Sequence, residues 1–390
     1  MMKKTGIFSF FAGAGFLDLG FEKTGKFETV FVNEYHKPFM DIYKGARKMM
    51  DTRPPKYGYE VKDVTKYAET EELEKLSSNL KDAKHEYEIT GFIGGPPCPD
   101  FSVGGKNKGK HGENGKLSGT YIDLITSTKP DFFLFENVKG LYRTVKHREF
   151  FEALKTKLKS NGYYLTENLI NAIEYGAPQD RQRIILIGFH KSFLSRYVKP
   201  AKFQQTVDEF NWTAHTIFDQ KEIFRKDWPL QDVFAENVER AVPLNITEEL
   251  TVQHWFNKND VENHPNAVHY FQPRAGLAKF MTIPEGDDKK KSYKRLHRWR
   301  YSPTVAYGNN EVHLHPFLPR RLSVAESLSL QSLPKDFVIP AEISLSDMFK
   351  TIGNGVPYLA ARGLANTIAD FITNLQSKTN APIYEEAHSS

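Results

Sequence analysis

One cysteine, Cys98, occurs in 390 residues, and it stands in the stretch Gly94-Gly95-Pro96-Pro97-Cys98-Pro99-Asp100-Phe101-Ser102. The thiolate is a strong nucleophile, and a free thiol of pKa about 8.5 keeps some of that form near neutrality. Two further groups have side chains suited to act beside it. Glu136-Asn137-Val138 offers a carboxylate, and Gln179-Asp180-Arg181-Gln182-Arg183 offers two guanidiniums. If the second group is extended, Gln179, Arg181 and Arg183 share one face. Two cations converging on one point call for anionic or polar partners. Residue types alone leave open what the thiol attacks.

The elements that must position these groups follow from apolar runs and their breakers. Ile89 to Ile93 reads as a short buried strand, and Gly94, Gly95, Pro96 and Pro97 end it in a stiff turn. The thiol therefore sits at a strand's C-terminal end, where open α/β sheets carry their chemistry. Ile7 to Phe11 is a strand, Ala12-Gly13-Ala14-Gly15 a tight turn, and Phe16 to about Thr24 a helix. Small residues at such a turn let a ligand approach the backbone. The next strand, Phe27 to Asn33, ends in Glu34-Tyr35. An acid about 20 residues past the glycines suits the two hydroxyls of a ribose, and it equally suits a helix N-terminus. Tyr35 could stack on an adenine or pack. Asp41 to Met50 and Thr70 to Lys84 read as helices, and Tyr59 to Val64 as the end of a third strand. Asp131 to Phe135 is a buried strand ending at Glu136. Phe150 to Lys159 is an amphipathic helix, and Tyr163 to Ile173 a strand. Val103 to Thr120 holds six glycines and shows no periodicity, so it reads as a long basic loop able to close over a ligand, with helix only from Tyr121 to Thr128. Sequence character changes after about Phe189. Residues 190–316 are polar and irregular, as expected of a second domain. Helical order returns at Ser323 to Leu330 and Tyr358 to Leu375, and the residues from Ser377 read as a tail.

Composition narrows the function classes. The length suits two domains. No apolar stretch approaches the ~20 residues of a membrane span, and Met1 to Gly6 carries no signal-peptide pattern. A lone cysteine excludes an intrachain disulfide framework, so a reducing cytoplasm is expected. The formal net charge is +5, which decides little, but its distribution matters. Lys106, Lys108, Lys110 and Lys116 follow Cys98. A second stretch, Lys289 to Arg300, holds four lysines and three arginines with Tyr293, His297 and Trp299 interleaved. Each stretch alone would pass for solvated surface, whereas the pair, one beside the thiol, points to a phosphate-lined substrate.

The ordered set resembles the cytosine-C5 DNA methyltransferases over nearly all the chain outside residues about 190–315. Phe11-Ala12-Gly13-Ala14-Gly15 is similar to that family's cofactor turn, Pro96-Pro97-Cys98 to its nucleophile motif, and Glu136-Asn137-Val138 to its carboxylate motif. Gln179-x-Arg181-x-Arg183 resembles its arginine motif. Arg320 to Phe337, with Leu322, Glu326, Gln331 and Pro334, resembles the motif that frames target recognition, and Gly353-Asn354-Gly355-Val356-Pro357 the C-terminal motif. The chain departs from the pattern at Pro99, where Gln is usual, at Phe16, where a further glycine is common, and at Ala325, where Arg is frequent.

The resemblance implies a doubly wound, Rossmann-like α/β domain that uses S-adenosylmethionine, with a smaller, irregular target-recognition domain. The expected division is 1–190 catalytic, 191–340 recognition, 341–376 rejoining the catalytic domain, and 377–390 tail. Cys98 would add to carbon 6 of cytosine, Glu136 would hold or protonate ring nitrogen 3 with a raised pKa, and Arg183 would bind the carbonyl oxygen, with Arg181 in support. Phe11, Ala12, Gly13, Ala14 and Gly15 would form the cofactor turn. Glu34 would take the ribose, Tyr35 the adenine face, Asp63 the adenine amino group and Val64 its ring. Pro97 and Tyr121 would line the site, and Asn354 and Gly355 would close it. A cytosine within duplex DNA must leave the stack to meet the thiol, with Ser102, Lys106, Lys108 and Lys110 on the DNA side. In the recognition domain Arg298 and Arg300 have suitable chemistry, as do Asn309, Asn310 and His313. A monomeric prokaryotic or phage modification enzyme is expected, its restriction endonuclease acting independently. Two alternatives stand beside this reading: an RNA cytosine-C5 methyltransferase, and a non-catalytic DNA-binding module on the same fold.

Overall fold

The computed structural model describes residues 4–97, 113–273, 277–289, 292–305, 307 and 313–379. Seven strands form one sheet: β1 Thr5–Phe10, β2 Phe27–Glu34, β3 Tyr59–Val61, β4 Thr90–Gly94, β5 Phe132–Val138, β6 Tyr163–Asn171 and β7 Gln182–His190, in the spatial order β3-β2-β1-β4-β5-β7-β6. The first five are parallel, and β7 runs antiparallel to both β5 and β6. The chain builds outward from β1 on one side and resumes at β4 on the other, so β1 and β4 flank a topological switch point. Phe10 pairs with Gly94 at that edge, which delivers the turn after Phe10 and the turn after Gly94 to the same crevice.

Both faces of the sheet are buried, because apolar residues occupy both parities of the strands. Ile7, Ile93, Leu134 and Ile187 lie on one face and Phe8, Phe92, Phe133 and Leu186 on the other, all inaccessible. The second face is covered by α2 Thr70–Glu86, α3 Glu113–Thr128 and α4 Val145–Ser160, counting α1 as Phe16–Glu22. The first face takes α1 and the C-terminal helix Tyr358–Thr379. Their approach is close: a Cβ on Gly20 would lie 2.4 Å from Ala361 Cβ. The chain thus returns to the catalytic sheet after the recognition region.

Several elements differ from their sequence expectation. Glu113 to Thr120 is helix, not loop, since it continues α3 from the buried residues Tyr121, Ile122 and Ile125; tertiary burial of that face overrides Gly115 and Gly119. Residues 103–112 lie outside the described residues. The helix expected at Asp41 begins at Lys37, with Pro38 in its first turn. The domain boundary at 190 is corrected as well. Phe193, Leu194, Phe203, Val207 and Phe210 pack into the sheet's own core beside Phe189 and Phe371, so the catalytic unit continues past residue 210.

Among the described residues the recognition region has only short elements: the helices Gln220–Arg225, Val252–Lys258 and Leu277–Thr282, and a two-stranded sheet in which β8 Lys294–Arg295 pairs with β9 His313–Leu314. Arginines replace ladders as its frame. Arg295 is buried and donates to the carbonyls of Ile283 at 2.9 Å, Leu318 at 3.0 Å, Phe280 at 2.5 Å, and His315. A hydrophobic cluster joins this region to the catalytic unit, with Val252, Phe256 and Leu296 on one side and Phe16, Leu19, Phe39 and Ile42 on the other.

Candidate active site

Gly95, Pro96 and Pro97 leave β4 at the switch point; Cys98 itself lies outside the described residues, as do Ser102, Lys106, Lys108 and Lys110. The turn lies flat against β5. Asn137 Nδ2 donates to Pro96 O at 3.4 Å, and a Cβ on Gly95 would come within 2.5 Å of Glu136 Oε2. Glycine at 95 is therefore what lets the carboxylate sit directly beside the turn that leads to the thiol. Pro97 is exposed.

Sheet register brings the carboxylate and the guanidinium together. Glu136 is opposite Ile185, and Val138 is opposite Arg183. Glu136 and Arg183 are diagonal neighbours on one face, within reach of long side chains. Arg183 Nε lies 2.8 Å from Glu136 Oε1, with 14% and 10% of the two side chains exposed. Arg183 Nη1 also donates to Gln182 O at 2.8 Å. This is a charge-assisted pair that fixes the carboxylate's orientation at the crevice.

Arg181 does something else, and its assignment as a catalytic group is corrected. It is buried and donates to Val305 O at 2.7 Å and to Gly353 O at 2.8 Å. Burial, with Arg183 nearby, holds its pKa well below the usual arginine value. Gln179 completes the join: its Oε1 accepts from Val305 N at 2.9 Å and its Nε2 donates to Leu330 O at 3.0 Å. The two residues tie the strand end to the recognition region and to the C-terminal motif. The expected convergence of Gln179, Arg181 and Arg183 splits, with the first two serving the domain joint and the third serving Glu136.

The turn after β1 is strained in a specific way. Phe11 has φ 54° and Gly13 φ 57°, a left-handed pair in which only glycine is at ease. Phe11's ring meets Tyr121 edge-on at 5.8 Å. Tyr121 is fully buried behind it and donates to Leu134 O at 3.3 Å, so it backs the site rather than lining it, a second correction. Gly13 N donates to Glu34 Oε2 at 2.8 Å, and His36 N donates to Glu34 Oε1 at 2.8 Å. Burial raises the Glu34 pKa, with both amide donors opposing. Tyr35, the next residue, is 70% exposed. Ala14 is buried, and Gly15, at φ 77°, has no room for a side chain because a Cβ would overlap the Tyr43 ring at 2.3 Å. Arg47, a residue sequence reading passed over, donates from Nη2 to Gly15 O at 2.9 Å.

On the far side of Glu34, Asp63 caps a short 3-10 turn by accepting from Thr65 N at 2.9 Å, and Val64 is buried in the core below. Asn33 Nδ2 donates to Lys62 O at 2.8 Å and so fixes the approach of this segment. Asn354 is exposed at the end of α8 Leu345–Asn354 (counting α5 as Lys191–Leu194, α6 as Val252–Lys258 and α7 as Val324–Leu330), and Gly355 lies on the Phe16 ring, where a Cβ would sit 2.1 Å from Cδ2.

The basic stretch of the recognition region turns inward. Arg298 is buried, donates from Nε and Nη2 to Glu285 at 2.8 and 2.9 Å, and reaches Val238 O. Arg300 Nη2 donates to Asp288 Oδ2 at 2.6 Å and Nη1 to Pro229 O at 3.2 Å. His313 is buried too. Their assignment to the DNA side is corrected: an alternating run of arginine and aromatic residues builds the domain's interior here. Asn309 and Asn310 lie outside the described residues. Among the described residues no cluster of three metal-ligating side chains occurs, and no helix is long and apolar enough to cross a membrane.

An open, mostly parallel sheet with a glycine turn, and a carboxylate–guanidinium pair beside the turn that leads in sequence to the chain's cysteine, has the parts of a group-transfer enzyme with covalent catalysis. The family model described as C-5 cytosine-specific DNA methylase matches residues 5–370. The type II methyltransferase M.NmeDI of Neisseria meningitidis serogroup C is 60% identical over 379 residues, covering 97% of this chain and 86% of that one. M.FnuDI of Fusobacterium nucleatum, another type II methyltransferase, is 29% identical, covering 93% and 95%. Among solved structures, an E. coli prophage protein described as a DNA modification methyltransferase superposes with TM-score 0.63 at 20% identity, covering 95% of this chain and 99% of that one. The S. pombe Dnmt2 methyltransferase gives 0.57 at 11%, covering 96% and 99%. These two likenesses show the fold alone. The chain belongs to the C-5 cytosine-specific DNA methylases and is a DNA (cytosine-5-)-methyltransferase.

Proposed function

We propose that this enzyme is a type II modification methyltransferase, methylating carbon 5 of a cytosine extruded from a short recognition sequence in duplex DNA. The observation that carries the reading is the Glu136–Arg183 pair at 2.8 Å, set against the Gly95 turn three residues before Cys98. Family membership implies S-adenosylmethionine as methyl donor, and the residues fit it. A Cβ at Gly13 would meet no described atom closer than 3.9 Å, Tyr35 is largely exposed, and Glu34 is held at the end of β2. When bound, S-adenosylmethionine supplies an electrophilic methyl group.

Cys98, as thiolate, forms a bond to carbon 6, and the 5,6 double-bond electrons move toward carbon 5. Glu136 holds a proton at ring nitrogen 3, while Arg183 keeps Glu136 in place through Nε and places its guanidinium charge to bind the base carbonyl oxygen. These groups oppose the charge that grows on the ring as the thiolate adds. Carbon 5 would then take the methyl group as that group's bond to the sulfonium sulfur breaks, leaving S-adenosylhomocysteine; loss of the carbon 5 proton to a base and cleavage of the bond to Cys98 would restore the double bond and the thiolate. Arg181 and Gln179 act at a distance by holding the recognition region and the C-terminal motif to the strand that bears Arg183. The protein is read as a cytoplasmic monomer whose partner endonuclease, where present, cuts the same sequence independently; the type II relatives support that pairing.

Incubation with methyl-labelled S-adenosylmethionine and duplex DNA tests the reading. Label at cytosine carbon 5 is expected within one short sequence, and a covalent adduct on duplexes carrying 5-fluorocytosine. Cys98→Ala should give neither while still binding S-adenosylhomocysteine. A folded protein that labels no duplex, or a Cys98→Ala variant that stays active, would sink it.

A further inference from the structure

Three amides of the glycine turn are already engaged, two of them with β2. Ala12 N donates to Asn33 O at 3.1 Å, Gly15 N to Ala12 O at 2.8 Å, and Gly13 N to Glu34 Oε2 at 2.8 Å. Helix α1 behind the turn has only seven residues. The Gly13 amide, held by Glu34, is therefore not the donor for an anionic ligand end resting on Gly13.

Thr351 stands where that donor is missing. It lies in α8, one turn before Asn354, and is 2% exposed. Its Oγ1 has no hydrogen-bond partner among the described residues. A helical threonine ordinarily donates back to the carbonyl four residues earlier. Thr367 in the C-terminal helix does so, its Oγ1 donating to Gly363 O at 3.0 Å. Thr351 makes no such bond. Its Oγ1 is instead the one described atom within 4 Å of the position a Gly13 Cβ would take, at 3.9 Å. A buried, unpaired hydroxyl beside the glycine turn is an arrangement that a bound polar group would complete.

We propose that Thr351 is a cofactor-binding residue whose hydroxyl donates to the carboxylate of the methionine part of S-adenosylmethionine, above Gly13. The assignment rests on the cofactor reading given above. It also gives α8 a direct role at the site, since the helix then presents Thr351 to the ligand from the same end that carries Asn354.

Calorimetric titration of the full chain separates these claims, using S-adenosylhomocysteine, which has the carboxylate, and 5′-methylthioadenosine, which lacks it. Thr351→Val should weaken S-adenosylhomocysteine about tenfold to a hundredfold, the range of a hydrogen bond to a charged group. It should leave 5′-methylthioadenosine unchanged, and Thr351→Ser should restore most of the loss. The ligand-free melting temperature of Thr351→Val should be equal to or above that of the parent, because an unpaired hydroxyl is replaced by a methyl of the same shape. Equal S-adenosylhomocysteine affinity in parent and Thr351→Val overturns the assignment, and so does equal weakening of both ligands. If Thr351→Val does not fold, Thr351→Ala is read by the same ratio of the two ligands. Failure of the parent itself to bind S-adenosylhomocysteine overturns the cofactor reading as a whole.

Discussion

Arg183 Nε lies 2.8 Å from Glu136 Oε1, across a diagonal of the antiparallel β5–β7 pair. The carboxylate is thus oriented before any substrate arrives, and removing Arg183 takes away the charged partner that orients it. Glu136→Gln should lower kcat by about 10²–10⁴, the range for a lost acid–base group. Arg183→Ala should cost about 10²–10³, the range for a lost electrostatic donor. S-adenosylhomocysteine affinity should hold in both. Single-turnover methylation of a duplex, beside calorimetry, checks the split; equal losses in binding and turnover would mean that the pair only holds the fold.

Gly95→Ala addresses the same carboxylate from the other side. Its Cβ would come 2.5 Å from Glu136 Oε2, shorter than such a contact can be, so the carboxylate or the turn must move. Turnover should fall by at least tenfold with melting temperature nearly unchanged, because one side-chain end can yield at small cost in stability. Gly58→Ala is not the matching control, since Gly58 has φ 84° and backbone strain would enter. Gly119→Ala is suitable: beyond its chain neighbours and its own helix backbone no described atom lies within 4 Å of the added Cβ, and it should leave turnover intact.

The sheet, the switch point and the order of the motifs were legible in sequence because they rest on local signals. An apolar run such as Phe132 to Phe135 can be little but a buried strand, and a glycine turn after a strand announces itself. The place of Glu34 at the end of β2 was legible from its spacing to the glycines; its acceptance of a hydrogen bond from Gly13 N was not. Fates decided by partners far along the chain were not. Arg181 and Arg183 alternate on one strand, yet one reaches Val305 and Gly353 and the other Glu136. Tyr121 has the chemistry of a ligand-lining residue, and only the packing of Phe11 and Phe135 around it shows that it is core. Arg298 carries the sharpest lesson. A cationic run reads as phosphate-seeking until the buried Glu285, thirteen residues earlier, is placed against it.

Arg298→Ala follows from that placement. The substitution leaves Glu285 buried without its bidentate partner, an error that costs about 3–5 kcal/mol. The low end is expected, since Arg240 Nε remains 3.3 Å from Glu285 Oε2. Chemical denaturation should show this loss. The slope of log Kd for DNA against log salt should stay as in the parent, whereas a lost phosphate contact would reduce it by about one. A reduced slope with unchanged stability would return Arg298 to the DNA surface.

His313 gives a prediction in pH. It is 2% exposed, and neither ring nitrogen has a hydrogen-bond partner among the described residues. Burial, with Lys294 nearby, pushes its pKa from an ordinary 6.5 down to about 3. The unfolded chain therefore takes up this proton first as pH falls, so the folded state loses stability from about pH 6.5 downward until the folded group also protonates near 3. At pH 5 the loss from this one residue amounts to about 2 kcal/mol relative to pH 7.5. His315 behaves alike, with its pKa also at about 3, and so contributes a similar fall that persists when His313 is replaced. His313→Leu, close in volume and with no proton to gain, should therefore shrink the stability difference between pH 7.5 and pH 5 by about 2 kcal/mol. At pH 7.5 it should cost little, because no hydrogen bond is lost. Urea denaturation of parent and variant at the two pH values measures the difference. An unchanged pH dependence would mean that His313 finds a proton partner in the folded protein.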